Sequence, residues 1–197
     1  MNKVTLAVIA SVIILILSAI GSYNSLISHD EAVKREWGNL ESTLQRRLDL
    51  IPNLVQTVKA YSTYESETLQ KVVEARANAT AVKIDASSLD NPEALQKYQQ
   101  AQNQLSGSLT KLLAIAENYP DLKASETYRD LLAQLEGTEN RINVARQNYN
   151  NEVKEYNYAL RQFPGSLINK SFLNLTTKDS FAAEAEARTV PKVNFGK

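Results

Sequence analysis

Two short stretches carry the side chains best suited to chemistry. His29-Asp30-Glu31 sets an imidazole beside two carboxylates, the donor types of a transition-metal site. Consecutive helical positions point about 100° apart, so these three cannot converge on one ion without donors from elsewhere. His29 is the only histidine, and the chain has no cysteine, which excludes disulfides, thiolate metal sites, cysteine nucleophiles and a lipoprotein anchor. The second stretch is Arg46-Arg47 with Asp49, Pro52 and Asn53. Two guanidinium forks beside a helix break can clamp carboxylates, or the carbonyls that a break leaves without donors. Arg46 can reach Asp49 at i+3, while Arg47 lies near the apolar stripe and could take Glu65, Glu74 or Glu139 as partner. A polar network that fixes the inter-helix turn is the preferred reading of this cluster. A binding site for an acidic partner is the alternative.

Reactive constellations are otherwise missing from the sequence. No serine sits beside a plausible base, no glycine-rich phosphate loop occurs, and there is no HExxH. The expectation is therefore a protein that is not an enzyme, with no catalytic residues, metal ligands, cofactor or small-molecule substrate. The 22 basic and 22 acidic side chains balance, so nothing suggests the clustered positive face that nucleic acid requires.

The elements that must position these residues are helical. Glycine and proline number only six and five in 197 residues, and long runs of Leu, Ala, Gln, Glu, Lys and Asn replace any alternating strand pattern. Residues 4–20 carry no charge, with Thr5, Ser11 and Ser18 the only polar members. Extended to Tyr23, this run spans roughly 30 Å as a helix, the thickness of a bilayer core. A membrane anchor is preferred because the run exceeds a signal-peptide core and passes without interruption into helix-compatible sequence. Cleavage at Ala19-Ile20-Gly21 is the competing reading. Lys3 alone precedes the span, whereas Lys34, Arg35, Arg46 and Arg47 follow it, an excess that favours a cytoplasmic C-terminal domain.

Beyond the span, Tyr23, Leu26, Val33, Trp37, Leu40, Leu44, Leu48 and Ile51 form one stripe. Asp30 with Lys34, and Glu31 with Arg35, read as i,i+4 pairs on the exposed side. Pro52 removes an amide, and Asn53 with Gln56 resembles a capping box, so a tight break and a new helix are expected there; a kinked continuous helix is the alternative. That second helix ends near Ala81. A third runs from Pro92 to about Asn118, burying Leu95, Tyr98, Gln102, Leu105, Leu109, Leu112 and Ala116, with Gly107 its weak point. A fourth starts at Ser125 and stops at Pro164-Gly165. Its stripe, from Tyr128 and Leu132 through Leu135, Thr138, Ile142, Ala145, Tyr149, Val153, Tyr156 and Leu160 to Phe163, averages 3.5 residues per step, the coiled-coil period. Its three tyrosine hydroxyls need partners when the rings are buried. The fold class expected is all-α: an N-terminal transmembrane helix followed by an antiparallel four-helix bundle of long helices. The boundaries are residues 1–23 for the anchor, 24–163 for the bundle and 164–197 for a strap or tail.

Several segments together resemble the LemA family: Tyr23-Asn24-Ser25-Leu26, the run from Leu44 to Val55, Glu74-Ala75-Arg76-Ala77, the run from Asn118 to Lys123, the run from Gly137 to Ile142, and Tyr149-Asn150. The late Phe163-Pro164 and Pro191-Lys192-Val193 elements follow the same order. The resemblance implies a four-helix bundle anchored in the bacterial inner membrane, sometimes encoded near membrane metalloproteases. Ala60 stands where the family usually has glycine, and Tyr64 where a histidine often precedes the glutamate at Glu65, which argues against histidine-dependent chemistry there. Two functions are expected on these grounds. One is a scaffold, adaptor or self-assembling module that contacts lipid through residues 4–23 and associates with itself or with other membrane proteins. The other is an accessory or sensory subunit of an envelope complex such as a membrane metalloprotease.

Overall fold

The computed structural model describes residues 2–62 and 65–181. Tyr64 and the Pro191-Lys192-Val193 element lie outside the described residues, as does all of the Ala/Glu-rich segment 181–188 except Phe181. The described chain is all-α and contains no strand. Helix α1 runs over Lys3–Tyr61, α2 over Ser66–Ala81, α3 over Pro92–Ala116, α4 over Pro120–Ala124 and α5 over Glu126–Arg161. A 3-10 turn at Ala86–Ser88 precedes α3, and the short α6, Gly165–Ile168, continues into a π-helical turn at Asn169–Leu173.

The break expected at Pro52 is absent. Helix α1 continues for 59 residues with Pro52 inside it, so Asn53 caps nothing and its carbonyl accepts the Thr57 hydroxyl at 2.8 Å. Proline removes only one donor and the apolar phase crosses it intact, so a helix packed on both sides of the proline has more to lose by stopping than by continuing. Helix α1 ends instead at Tyr61, and α2 begins at Ser66.

Two compact units are resolved. The first gathers residues 2–47, 84–92 and 136–180; the second gathers 48–62, 65–83, 93–135 and Phe181. In the first unit α1 buries Leu26, Val33, Trp37, Leu40 and Leu44, and α5 buries Ile142, Ala145, Tyr149, Val153 and Tyr156. The Trp37 and Tyr149 rings meet edge to face, 5.5 Å apart. In the second unit Leu48, Ile51, Leu54 and Val58 join Leu69 and Val72 of α2, Leu105, Leu109 and Leu112 of α3, and Tyr128, Leu131 and Leu135 in one core. All seven positions expected to face inward on α3 are buried.

The stripes depart from expectation at their ends. Leu131 is buried and Leu132 only half-buried, because a straight 3.6-residue helix drifts against a 3.5 repeat. Tyr23 and Phe163 are exposed, at 41% and 76%, although periodicity assigned both to the core. Residues 2–18 are exposed throughout, and the first part of α1 is long and apolar enough to cross a membrane.

Candidate functional site

In the second unit the proline creates the site. Pro52 has no amide to offer the Leu48 carbonyl one turn earlier, so that oxygen would sit beside the core without its helical donor. Arg76 of α2 supplies one: its Nε donates to Leu48 O at 2.8 Å. The sequence points to a guanidinium beside Pro52 and to a carbonyl for it to clamp. The side chain that does so comes from the next helix, and Arg46 and Asp49 are exposed. Glu65 accepts the Tyr119 hydroxyl at 3.0 Å, and Glu74 accepts from Gln70 at 2.8 Å.

Arg47 belongs to the first unit, where it is 1% exposed and its Nη1 lies 3.1 Å and 3.4 Å from the two oxygens of Glu139. The Glu139 side chain keeps 40% of its surface. The carboxylate thus reaches in from the rim to a cation that is fully enclosed, and an enclosed cation depends on its partner more than a hydrated anion does.

The first unit also holds a clamp on residues 174–180. The Asn157 amide donates to Lys178 O at 2.8 Å and accepts from Lys178 N at 3.0 Å, taking both main-chain groups as a neighbouring strand would. Asn169 does the same to Leu175, at 2.9 Å and 2.8 Å. The Tyr149 and Tyr156 hydroxyls donate to the carbonyls of Asp179 and Thr176. Burial pushes both phenols well above the ordinary tyrosine range, aided by Asp179 for Tyr149 and by Asp30 and Asp90 for Tyr156. The Lys178 ammonium stands 4.3 Å over the Tyr156 ring and pairs with the buried Asp30.

Asp30 was expected on the solvated face. It is 7% exposed and takes both Lys178 and Lys34, the latter at 2.7 Å. Burial alone would raise its pKa, but the hydrogen bonds and charges of Lys178 and Lys34 prevail and hold the carboxyl below its usual value. Glu31 pairs with Lys34 at i+3, and Arg35 with Glu36, in place of the expected Glu31–Arg35 pair. His29 is half-buried, and among the described residues no three His, Asp or Glu side chains stand close enough to hold a metal ion.

One open groove of about 670 Å³ lies between α2 and α3 in the second unit. Lys71, Glu74, Asn78, Gln104, Ser108 and Lys111 edge it, and Gly107 leaves its wall without a side chain. A Cβ at Gly107 would meet nothing within 4 Å, so the glycine is not there to admit a neighbouring helix of this chain.

The pattern that defines the LemA family matches residues 36–195. The chain belongs to the LemA family. Among curated relatives of this LemA-family chain are Magnetosome protein MamQ 2 of Paramagnetospirillum magneticum, 23% identical over 81% of this chain, and Magnetosome protein MamQ of Magnetospirillum gryphiswaldense, 23% identical over 79%. Protein LemA of Metamycoplasma hominis is 24% identical over 73%. The chain spans just under two thirds of the length of these relatives, 65%, 63% and 62% in turn.

The geometry ties together two of the segments that carry the LemA resemblance, since the run containing Pro52 presents the carbonyl and Glu74-Ala75-Arg76-Ala77 brings the donor. Sequence reasoning missed the part played by Arg76 and the whole Asp30–Lys178 pair. The loss of one amide at Pro52 was the signal for the first. Nothing marked the second, because its members stand 148 residues apart.

Proposed function

We propose that the protein is a membrane-tethered helical scaffold or adaptor whose helices hold other membrane proteins, or further copies of itself, beside the bilayer. The observation that carries this reading is the continuity of α1. Residues 4–18 are exposed and carry no charge, and the same helix then buries Leu26, Val33 and Trp37 without any break. A helix built this way transmits the position of the bilayer rigidly to the packed residues, as a spacer does and a cleavable leader does not. The distribution of Lys and Arg around the span supports a cytoplasmic packed domain at the inner membrane.

A second reading, an accessory subunit of an envelope complex such as a membrane metalloprotease, is favoured by the open groove between α2 and α3. Size in detergent separates the two. A large homo-oligomer supports the scaffold, and a monomer crosslinked in intact cells to one heterologous chain supports the accessory role. A monomer that captures no membrane protein at all overturns both.

A further inference from the structure

The residues that end α5 and follow it leave apolar side chains in water, where packing within the chain gives no reason for them. Phe163, Leu167 and Phe172 are 76%, 56% and 72% exposed. Their neighbours fasten this segment to α1. Ile168 and Phe172 form a depression of about 210 Å³ with Ala19, Ile20 and Tyr23. Gly165 packs so closely that a Cβ there would collide with the Ala159 carbonyl, with the Ser22 hydroxyl alongside.

Ala19 to Tyr23 is where the uncharged span ends, so the exposed aromatics stand at the level at which α1 leaves the hydrocarbon. The charge pattern agrees with that level. Between Tyr156 and Lys178 there is no acidic residue, and the cations that lie between them are Arg161 and Lys170, both exposed. Apolar side chains flanked by cations and free of acids suit the headgroup boundary of an anionic bilayer, where aromatic rings also concentrate.

We propose that Phe163–Leu173 is a second membrane contact, lying in the interface with Phe163, Leu167 and Phe172 in the outer acyl region and Arg161 and Lys170 among lipid phosphates. Lipid is chosen over a partner chain because Phe172 shares an apolar depression with Ile20, and Ile20 and Leu17, 53% and 63% exposed, belong to the apolar span itself. The contact would stop α1 from sliding or rolling in the bilayer and so fix the height of the packed helices, a role that rests on the membrane-anchored reading above.

The chain has no cysteine, so the full-length protein takes one label at a time. An environment-sensitive fluorophore is placed at Leu167→Cys, Phe172→Cys and Phe163→Cys, with Ile13→Cys as the deep reference and Lys154→Cys as the aqueous one. Each protein, checked for helicity, is reconstituted into phosphatidylcholine–phosphatidylglycerol vesicles without bromolipid, with lipids brominated at shallow acyl positions and with lipids brominated at deep ones, each label being read against the bromines at its own depth. The expected result is blue-shifted emission at 163, 167 and 172, with a bromolipid quenching comparable to that at 13, against none at 154. Emission at 167 and 172 as red and unquenched as at 154, while 13 is quenched, overturns the proposal and leaves the anchor standing. Emission shielded in proportion to protein density but indifferent to bromine means that copies of the chain cover the patch, and also overturns it. An unquenched label at 13 removes the anchor and this inference together. All of these side chains are exposed, so the labels disturb no core, and any one of the three interfacial positions that folds suffices for the test.

Discussion

Arg76 and Arg47 do opposite kinds of work, and paired substitutions separate them. Arg76→Met removes the donor to Leu48 O and should cost about 1.5–3 kcal/mol, the range for a hydrogen bond to a charged group. Pro52→Ala restores the missing amide, so the same Arg76 substitution should cost distinctly less in that background; a denaturation double-mutant cycle in detergent measures the difference, and equal costs would refute the repair role. For the buried cation the asymmetry runs the other way from intuition. Glu139→Ala removes the carboxylate facing a guanidinium that is 1% exposed and should cost about 1–3 kcal/mol, whereas Arg47→Met leaves a carboxylate that is already 40% exposed and should cost less. The same denaturation midpoints report both. An Arg47→Met variant that is the less stable of the two would show that Arg47 contributes chiefly through contacts other than Glu139.

Helix interiors and the clamp respond to different conditions. Gly107 sits in mid-helix with open space around its missing side chain, so Gly107→Ala should raise stability by about 0.5–1 kcal/mol. If that variant is more stable yet loses a captured partner, the bare groove wall is what the partner uses. Gly165→Ala has no such room and should destabilise by about 1–3 kcal/mol, since the Ala159 carbonyl must move. Thermal melts of the two variants should shift in opposite directions. The clamp on residues 174–180 should respond to pH. The Asp30 carboxyl is held below its ordinary pKa, so its contribution is complete above the unfolded carboxylate range and is lost as pH falls through the folded value. Asp30→Asn should cost about 3 kcal/mol at neutral pH, because it leaves the Lys178 ammonium buried without its countercharge, and should flatten the acid limb of the stability curve. Equal slopes for wild type and variant between neutral pH and the carboxylate range would show that the pair does not govern acid unfolding.

Taken as one molecule, the protein should stay in the membrane fraction through an alkaline carbonate wash, with an intact mass that retains the residues before Gly21. A chain shortened at Gly21 and recovered in the supernatant would mean that the apolar run serves export and not attachment. Residue order alone was enough for the helical class, the apolar span, the inward face of α3 and the family, because composition and periodicity act over one or two turns and are written locally. It was misleading at Pro52 and at Phe163. A local rule sees the lost amide but not Arg76, 28 residues beyond the Leu48 carbonyl, which replaces it, and a repeat can be carried past the point where a helix has a neighbour to bury it. Tertiary structure decided which of several carboxylates meets Arg47, 92 residues away, and turned Asp30 from a surface charge into the buried partner of Lys178. Pairings of this kind depend on which side chains the packed helices bring within reach, a distance in space that neither spacing nor propensity encodes.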